Sequence, residues 1–276
     1  MSKELIFKLK PYLSEKIWGW EKWVLSCHEE GNCTVQEGIY KGQELSKILG
    51  CGSDFPILNK IIKAEDTLSV QVHPNDDYAK KFENANGKTE CWYILEAKEG
   101  ATLVSGIKKG LNKEKLRKII KEGKLEDYLE RINIRRGDFI YIPAGTVHAI
   151  EAGVKLIEVQ QNSNITYRLH DWGRGREVHI EKSLDVIDYE GENKGGRIDN
   201  FNKLETPYFK VEKIIVSNNY TDKVNESFHS YTVICGEGVI KANNCKIELK
   251  EEETIYISKG IEYTLEGNME LIKSSV

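Results

Sequence analysis

The stretch GDFIYIPAGTVH, residues 137–148, gives the clearest indication of how this chain folds. Its first half, DFIYIP (138–143), is rich in β-branched and aromatic residues, which favours a strand. Pro143 and Gly145 then supply two residue types that are typical of tight turns. The chain is therefore expected to turn back as a second strand that aims His148 into the interior of a β structure.

Much of the remaining sequence is also typical of short strands. Runs of strand-forming residues bounded by Gly, Pro or Asn occur at 55–64, 69–73, 91–97, 154–161, 208–216, 230–236, 246–250 and 253–258. Many short strands separated by turns favour a β-sandwich or a barrel.

Two stretches depart from this pattern. From Leu111 to Ile132 the apolar residues have helical spacing, with Asn112 suited to cap the first turn and Gly123 suited to separate two short helices. The many lysines of this stretch are interspersed with glutamates, which predicts a solvated face rather than a binding patch. A further short helix is predicted at 76–82.

The chain is predicted to contain two related β domains. A polar stretch, YEGENKGGRIDN (189–200), is typical of a linker. A weak internal repeat supports a division there, because 137–148 (GDFIYIPAGTVH) and 252–263 (EETIYISKGIEY) share a common frame. Tyr263 takes the place of His148 in the second copy, so only the first domain keeps the histidine.

Composition narrows the class of protein. The chain has 276 residues, of which 39% are hydrophobic and 30% are charged, as is typical of a soluble globular protein. Its formal net charge of −4 does not suggest a nucleic-acid partner or an acidic membrane surface. No apolar run approaches the ~20 residues that span a membrane, and the N-terminus is not patterned like a signal peptide, so a cytoplasmic location is expected. The six cysteines contain no CxxC pair and are predicted to be free thiols.

Histidines suited to a metal site accompany this β pattern. In the run QVH, Gln71 and His73 are two residues apart, so on a strand both side chains would face the same interior. His148 would enter the same interior from the turn described above. Neutral imidazoles are ligands that suit Zn²⁺.

Several motifs resemble those of a known family. The spacing G-x5-P-x-G-x2-H at 137–148 resembles the second signature of the cupin superfamily, and Gln71-x-His73 followed by Glu90 resembles a looser form of the first. Four motifs occur in order: QVHPND (71–76), GKTECWY (87–93), PAGTVHAI (143–150) and YRLHDWGR (167–174). Together they closely resemble the type I phosphomannose isomerases in their short bacterial form, over about residues 5–174.

This resemblance implies a mainly β fold with two cupin-type jelly-roll β-barrel domains and a small α-helical insertion near 111–132. Residues 1–195 would form the catalytic cupin domain, and residues 196–276 would form a degenerate C-terminal cupin-like β domain. The resemblance also implies a zinc ion, one per chain, held by Gln71, His73, Glu90 and His148.

The implied activity is an aldose–ketose isomerisation that interconverts mannose 6-phosphate and fructose 6-phosphate through a zinc-stabilised cis-enediolate. Zinc would act as a Lewis acid. Arg168, which is always charged, would stabilise the oxyanion without taking the proton. Lys60 and Ser69 match positions at which the family binds the substrate phosphate. His170 departs from the tyrosine expected in its motif.

The sequence leaves the proton carrier open. Lys88 could act in its neutral form, which burial beside Zn²⁺ and Arg168 would favour. Glu158 could act as a carboxylate without such help. Asp171 is a third candidate, although it could instead form a structural ion pair with nearby arginines. A zinc-bound hydroxide is the fourth.

Two other functional classes stay open at this point. One is a different metal-dependent cupin enzyme, such as an iron dioxygenase, and the other is a non-catalytic sugar-binding cupin. Gln71 in place of a histidine argues against redox iron, and a binding module would not be expected to carry Arg168 and Lys88. Fold alone does not separate these classes, because cupins host many activities. The expected partner is a small sugar phosphate, and the chain would be a monomer or a homodimer.

Overall fold

A computed structural model describes residues 5–52, 54–242 and 245–276 of the protein. Strands predominate among these residues, which confirms the predicted mainly β architecture. The described strands are β1 (Ile6–Lys10), β2 (Tyr12–Lys16), β3 (Gly19–Leu25), β4 (Cys27–His28), β5 (Gly31–Asn32), β6 (Thr34–Val35), β7 (Ile57–Ala64), β8 (Val70–Val72), β9 (Glu90–Ala97), β10 (Thr102–Ile107), β11 (Leu129–Asn133), β12 (Phe139–Ile142), β13 (His148–Ile150), β14 (Val154–Gln161), β15 (Tyr167–His170), β16 (Gly196–Ile198), β17 (Lys203–Glu205), β18 (Lys210–Lys223), β19 (Phe228–Ala242), β20 (Cys245–Leu249), β21 (Thr254–Ser258) and β22 (Glu262–Ser275). The described helices are α1 (Leu45–Leu49), α2 (Asp76–Phe82), α3 (Lys113–Lys121), α4 (Ile180–Val186) and a 3-10 helix at Leu125–Tyr128.

The chain divides into two compact units. The first contains the described residues of Met1–Ser14, Lys22–Ile61 and Asn200–Val276, and the second contains Glu15–Glu21 and Ile62–Asp199. Strands β2, β3 and β7 contain residues of both units. The roles predicted for residues 1–195 and 196–276, catalytic and degenerate, stay a prediction.

The first unit is built on an eight-stranded antiparallel sheet. Its order is β17-β18-β22-β19-β21-β1-β6, with β20 paired to β19. The long strands β18, β19 and β22 pair along most of their length, and their inward aliphatic side chains form a buried core. At the other side of the sheet β1 pairs with β21, so that Ile6 lies opposite Ile257. Two segments that are far apart in the sequence therefore complete one sheet.

The second unit contains two groups of antiparallel strands. One is a five-stranded sheet with the order β11-β10-β13-β8-β15, and the other includes the run β16-β12-β9-β14. Two buried apolar clusters lie in this unit. The cluster around Trp92 and Ile94 contains side chains of both groups, whereas the cluster around Val70 and Val104 packs the five-stranded sheet against α3 and α4. That each unit forms a cupin-type jelly-roll barrel stays a prediction.

The stretch 137–148 forms a strand, a turn and a second strand, as predicted. In the turn, the backbone N–H of Thr146 donates to the carbonyl of Pro143 at 3.1 Å. Gly145 has a φ of +90°, a conformation that glycine adopts without steric cost. β12 pairs with β9 and β16, whereas β13 pairs with β8 and β10. The turn therefore carries the chain from one sheet to the other and makes His148 the first residue of β13.

The predicted helical insertion is confirmed over its first part. Asn112 caps α3, because its Oδ1 accepts a hydrogen bond from the backbone N–H of Lys115 at 2.9 Å. Gly123, with a φ of +69°, separates α3 from the 3-10 helix. The helical prediction was wrong over 129–132, because this segment forms β11 and pairs with β10. Helix α2 coincides with the helix predicted at 76–82.

The charged face of α3 and the state of the cysteines also agree with the predictions from the sequence. The charged residues of α3 form ion pairs with α4, as between Lys113 and Asp185 and between Arg117 and Glu181. All six cysteines are free, as predicted. Among the described residues, no helix has the length and apolar character that crossing a membrane requires.

Candidate metal centre

Three buried side chains, those of His73, Glu90 and His148, converge in the second unit. His73 directly follows β8, Glu90 begins β9 and His148 begins β13. Their ligand atoms all lie within 4.8 Å of one another. Glu90 Oε1 is 3.4 Å from Nε2 of His148, and Glu90 Oε2 is 3.6 Å from Nε2 of His73. The group can therefore hold a metal ion.

Backbone carbonyls fix the orientation of both imidazole rings. Nδ1 of His73 lies 2.7 Å from the carbonyl oxygen of Ile165, and Nδ1 of His148 lies 2.9 Å from that of Thr146. A carbonyl only accepts, so each Nδ1 carries the proton and each Nε2 turns a lone pair toward Glu90. Burial lowers the pKa of His148 to about 4, which keeps its ring neutral. Neutral rings oriented in this way are suited to metal ligation.

Gln71 lies beside this group. In the pairing of β8 with β13 it is directly opposite His148, and its Nε2 lies 3.1 Å from Nε2 of that ring. Its Oε1 accepts a hydrogen bond from Ser69 Oγ at 3.3 Å. The structure thus brings all four predicted ligands together.

Lys88 is buried among the same side chains. Its Nζ lies 2.5 Å from Oε2 of Glu90, 3.2 Å from Nε2 of His73 and 3.9 Å from Oε1 of Glu158. The ammonium group therefore donates to lone pairs that a metal ion would also use.

Glu158 lies on β14 beside β9, where it is directly opposite Trp92. Only 3% of Glu158 is exposed, and its Oε2 accepts a hydrogen bond from the indole Nε1 of Trp92 at 3.1 Å. The same indole packs edge to face against His148, with ring centroids 5.4 Å apart. The structure therefore places Glu158 next to the His73, Glu90 and His148 group.

Arg168 lies opposite Gln71 in the pairing of β15 with β8, so the two side chains share one face of the sheet. Its Nε is buried and has no hydrogen-bond partner among the described residues. Burial, and then the neighbouring charge of Arg176, lower the pKa of Arg168 from its ordinary value. The guanidinium group therefore retains an unused donor on the side of the sheet that carries Gln71.

Asp171 is held by arginines. Its carboxylate accepts hydrogen bonds from Nε of Arg176 at 3.0 and 3.1 Å, and from Nη2 of Arg174 at 3.2 Å. Burial alone would raise the pKa of Asp171, but hydrogen bonding to Arg176 and the charges of both arginines outweigh it and lower this pKa overall. Such a carboxylate is better suited to an ion pair than to proton transfer.

The two predicted phosphate contacts lie in different settings. Ser69 is buried and bonded to Gln71, beside the candidate metal centre. Lys60 is buried in the first unit, with Nζ 5.1 Å from the ring centroid of Trp23. Their role in binding phosphate stays a prediction. His170, the departure within its motif, packs edge to face against Trp172 with ring centroids 4.8 Å apart.

A second polar cluster lies in the first unit, around Tyr263. Its Oη lies 2.7 Å from Nδ1 of His229, 2.6 Å from Oη of Tyr231 and 3.4 Å from Oδ2 of Asp222. Lys273 donates to the same Asp222 oxygen at 2.8 Å. Burial, together with the charge of Lys273, lowers the pKa of His229 to about 4. The residue that replaces the metal-site histidine in the internal repeat is thus the middle of a hydrogen-bonded network.

Sequence reasoning did not assign a role to Trp92. The signal was available, because Glu90 and Trp92 are alternate residues at the start of β9 and alternate residues of a strand share a face. The motif comparison assigned roles to Lys88 and Glu90 and none to the indole.

Two family models match the chain. The model for the catalytic domain of type I phosphomannose isomerase matches residues 10–104, and the model for the cupin domain of mannose-6-phosphate isomerase matches residues 197–276.

Individual proteins are similar over nearly the whole chain. A mannose-6-phosphate isomerase of Bacillus subtilis (strain 168) is 35% identical and covers 99% of each chain. A mannose-6-phosphate isomerase of Streptococcus mutans serotype c is 35% identical over 92% of this chain and 87% of its own. The crystal structure of a mannose 6-phosphate isomerase from Bacillus subtilis superposes with a TM-score of 0.89, at 30% identity, over 98% of this chain and 99% of that one.

Proposed function

The chain belongs to the type I phosphomannose isomerase family, and on that premise we propose that it interconverts mannose 6-phosphate and fructose 6-phosphate through a cis-enediolate stabilised by zinc. The enzyme class, mannose-6-phosphate isomerase, follows from relatives that share nearly the whole chain. This enzyme class is therefore preferred to the two alternatives, an iron dioxygenase and a non-catalytic sugar-binding cupin. The observation that carries the proposed mechanism is the convergence of His73, Glu90 and His148 in one buried group.

The donor set fits a zinc ion. Two neutral imidazoles offer Nε2, and Glu90 offers a carboxylate. Gln71 would join them by turning its amide so that Oε1, rather than Nε2, faces His148. Lys88 would release its contacts with Glu90 and move closer to Glu158. Bound zinc would supply a Lewis acid that stabilises negative charge on the sugar oxygens.

Arg168 is proposed to bind the developing oxyanion. Its buried Nε has a free donor, and its side chain shares a face with Gln71. A guanidinium group stays charged at neutral pH, so it stabilises an oxyanion without exchanging a proton with it.

Glu158 is proposed as the group that carries the proton between C2 and C1. It is buried, and one of its oxygens is held by Trp92 while the other faces Lys88. A carboxylate can take a proton from one carbon and return it to the neighbouring one. Asp171 is less suited to this task because two arginines hold it. Lys88 would stabilise the charged form of Glu158.

The remaining assignments are also proposals. Ser69, beside Gln71, and Lys60 would bind the phosphate group, as the family resemblance implies. Each unit would be a cupin-type jelly roll, with catalysis in residues 1–195 and a degenerate partner in 196–276. The enzyme would act in the cytoplasm as a monomer or a homodimer.

A coupled assay on the purified chain tests the proposal. Mannose 6-phosphate is supplied, and the appearance of fructose 6-phosphate is followed before chelation, after chelation and after zinc is returned. We expect turnover to disappear with the metal and to recover with zinc. Arg168→Ala should retain zinc but lower kcat by about 10²-fold or more, since it removes charge stabilisation of the intermediate.

The matched control is Arg136→Ala, which removes the same charge from an exposed position. It should leave turnover within about twofold of the parent protein, since an exposed charge is screened. Turnover that persists in thoroughly chelated protein, or that survives Arg168→Ala, would contradict the proposed mechanism. Stoichiometric iron and consumption of dioxygen would contradict the proposed function itself.

A further inference from the structure

Trp92 makes two contacts with the candidate active site. It shares a face of β9 with Glu90, and it is fully buried. Its Nε1 donates to Oε2 of Glu158 at 3.1 Å, and its ring packs at 71° against His148. The indole therefore connects the carboxylate proposed to carry the proton with one of the proposed metal ligands.

In its hydrogen bond with Glu158, the indole N–H can only be the donor. The Trp N–H is a donor without acceptor capacity, so it can only donate to an oxygen of the Glu158 carboxylate. A buried carboxylate that loses such a bond would turn toward another partner. Lys88 Nζ lies 3.9 Å from Oε1, and the carboxylate could rotate toward it.

Pairing across the strands makes this arrangement rigid. In the register of β9 with β14, Glu158 lies opposite Trp92 and Gln160 lies opposite Glu90. The backbone thus sets the distance between indole and carboxylate, while the surrounding core holds the ring. One oxygen of Glu158 is fixed by the N–H, which leaves the other directed toward Lys88.

We propose that Trp92 is a positioning residue for catalysis, which holds the Glu158 carboxylate in the orientation needed for proton transfer. This inference rests on the proposed function, since it assumes that Glu158 carries the proton. Trp92 itself does not exchange a proton with the substrate. Its loss should slow the chemical step without emptying the metal site or weakening substrate binding.

The first experiment compares Trp92→Phe with the parent enzyme. We expect kcat to fall by about 10- to 100-fold, since misplacing a catalytic group by about 1 Å has effects of that size. KM for mannose 6-phosphate should stay within about threefold, and zinc content should be unchanged. With substrate deuterated at C2 the kinetic isotope effect on kcat should rise, because proton transfer becomes more fully rate-limiting.

A second variant separates the N–H from the volume of the ring. Replacing Trp92 by β-(3-benzothienyl)alanine keeps the bicyclic shape and exchanges the N–H for sulfur. The same fall in kcat is expected. The matched control is Ile94→Ala, which opens a cavity two residues further along the same face and should lower Tm while leaving kcat within about threefold. Unchanged kcat in the benzothienyl variant would overturn the proposal.

A spectroscopic readout keeps this inference distinct from the proposed function. The indole N–H resonance of Trp92, identified by its loss in Trp92→Phe, should shift in Glu158→Gln, whether or not the enzyme turns over. A resonance that does not shift would overturn the proposed contact. If Glu158→Gln shows the shift but the wild-type protein does not isomerise mannose 6-phosphate, the proposed function is refuted, and with it this role of Trp92.

Discussion

Each of the two units contains a buried polar cluster. The two clusters have similar compositions, but their polar atoms are paired with different partners. The cluster of the second unit combines His73, Glu90 and His148 with Lys88. That of the first unit is the Tyr263 cluster, in which a histidine, an aspartate and a lysine surround a phenol. In the cluster of the second unit, acceptor atoms of His73, Glu90 and His148 face one another, and the ammonium group of Lys88 donates to His73 and Glu90. In the Tyr263 cluster, hydroxyl donors alternate with acceptors, so its hydrogen bonds are satisfied internally.

The difference shows what one substitution in a repeat can do. A tyrosine in place of a ligating histidine removes a lone-pair donor and adds an O–H. The polar character of the position is kept, but an imidazole nitrogen that could ligate a metal ion is lost. The comparison therefore predicts that one cluster controls activity and metal content, whereas the other controls only stability.

The largest expected difference is in activity. His148→Ala should lower kcat/KM by about 10³-fold or more and abolish zinc binding, since loss of a ligand removes several kcal/mol of charge stabilisation. Tyr263→Phe should leave kcat/KM and zinc content within about twofold of the parent values. Coupled assays and metal analysis on the two purified variants make the test. Equal losses of kcat/KM and zinc content in both variants would contradict the predicted difference between the clusters.

Metal removal should separate the clusters by thermal stability. If zinc is present at about 100 times its Kd, it stabilises the native state by about 3 kcal/mol. For a chain of this size, chelation should then lower Tm by roughly 6–10 °C. Tyr263→Phe should show the same loss on chelation, whereas His148→Ala should show none. Calorimetry with and without a chelator measures the difference, and a response of His148→Ala to chelation would place the metal elsewhere.

A smaller effect is expected from pH. The folded pKa of His229 is about 4, below its ordinary value of 6.5, so below pH 6.5 the unfolded chain takes up a proton that the folded chain does not. The free energy of unfolding should therefore fall as the pH is lowered from about 6.5 to 4. His229→Gln should remove about 2 kcal/mol of this fall. Asp222, whose pKa is also lowered, adds a smaller fall only at the acid end of this interval, where the unfolded aspartate begins to take up a proton.

Denaturant titrations of metal-free protein at several pH values make this measurement. Both proteins are kept metal-free, so that metal binding at the other cluster does not contribute to the difference. Identical pH slopes for His229→Gln and the parent protein would contradict the assignment of a depressed pKa to His229.

The smallest effect concerns the phenol itself. Tyr263→Phe leaves Asp222, His229 and Tyr231 without one hydrogen-bond partner and should cost about 1–2 kcal/mol of unfolding free energy. Thr221→Val is a control that removes one exposed hydroxyl and its hydrogen bond to Thr264, and it should cost less than about 0.5 kcal/mol. Tyr263→Phe with unchanged stability would show that the network does not support the fold.

The sequence predicted the parts of the structure that depend on local patterns. Strand and turn residues in 137–148 determine β12, the turn at Gly145 and the position of His148. Asn112 predicts the start of α3 because capping involves residues within one turn. The candidate metal ligands were predicted from motifs that occur in a fixed order, and His73, Glu90 and His148 converge in the structure.

Features that depend on tertiary pairing were not predicted. The segment at 129–132 has helical spacing, but pairing with β10 makes it a strand. Trp92 gains its contact with Glu158 from the register of β9 with β14, which no local pattern specifies. The membership of residues 22–61 in the same unit as the C-terminal strands likewise arises from contacts between distant segments.

The pairing of β1 with β21 has a consequence for how the protein assembles during synthesis. Leu5 and Ser258, which are 253 residues apart, exchange two hydrogen bonds beside this pair. At typical translation rates, β1 waits roughly 10 to 50 s for its partner strand to be made. Residues 62–199 leave the ribosome earlier, so the candidate metal centre can form while the sheet of the first unit still lacks its C-terminal strands. During that interval the nascent chain depends on keeping β1 from pairing with other chains.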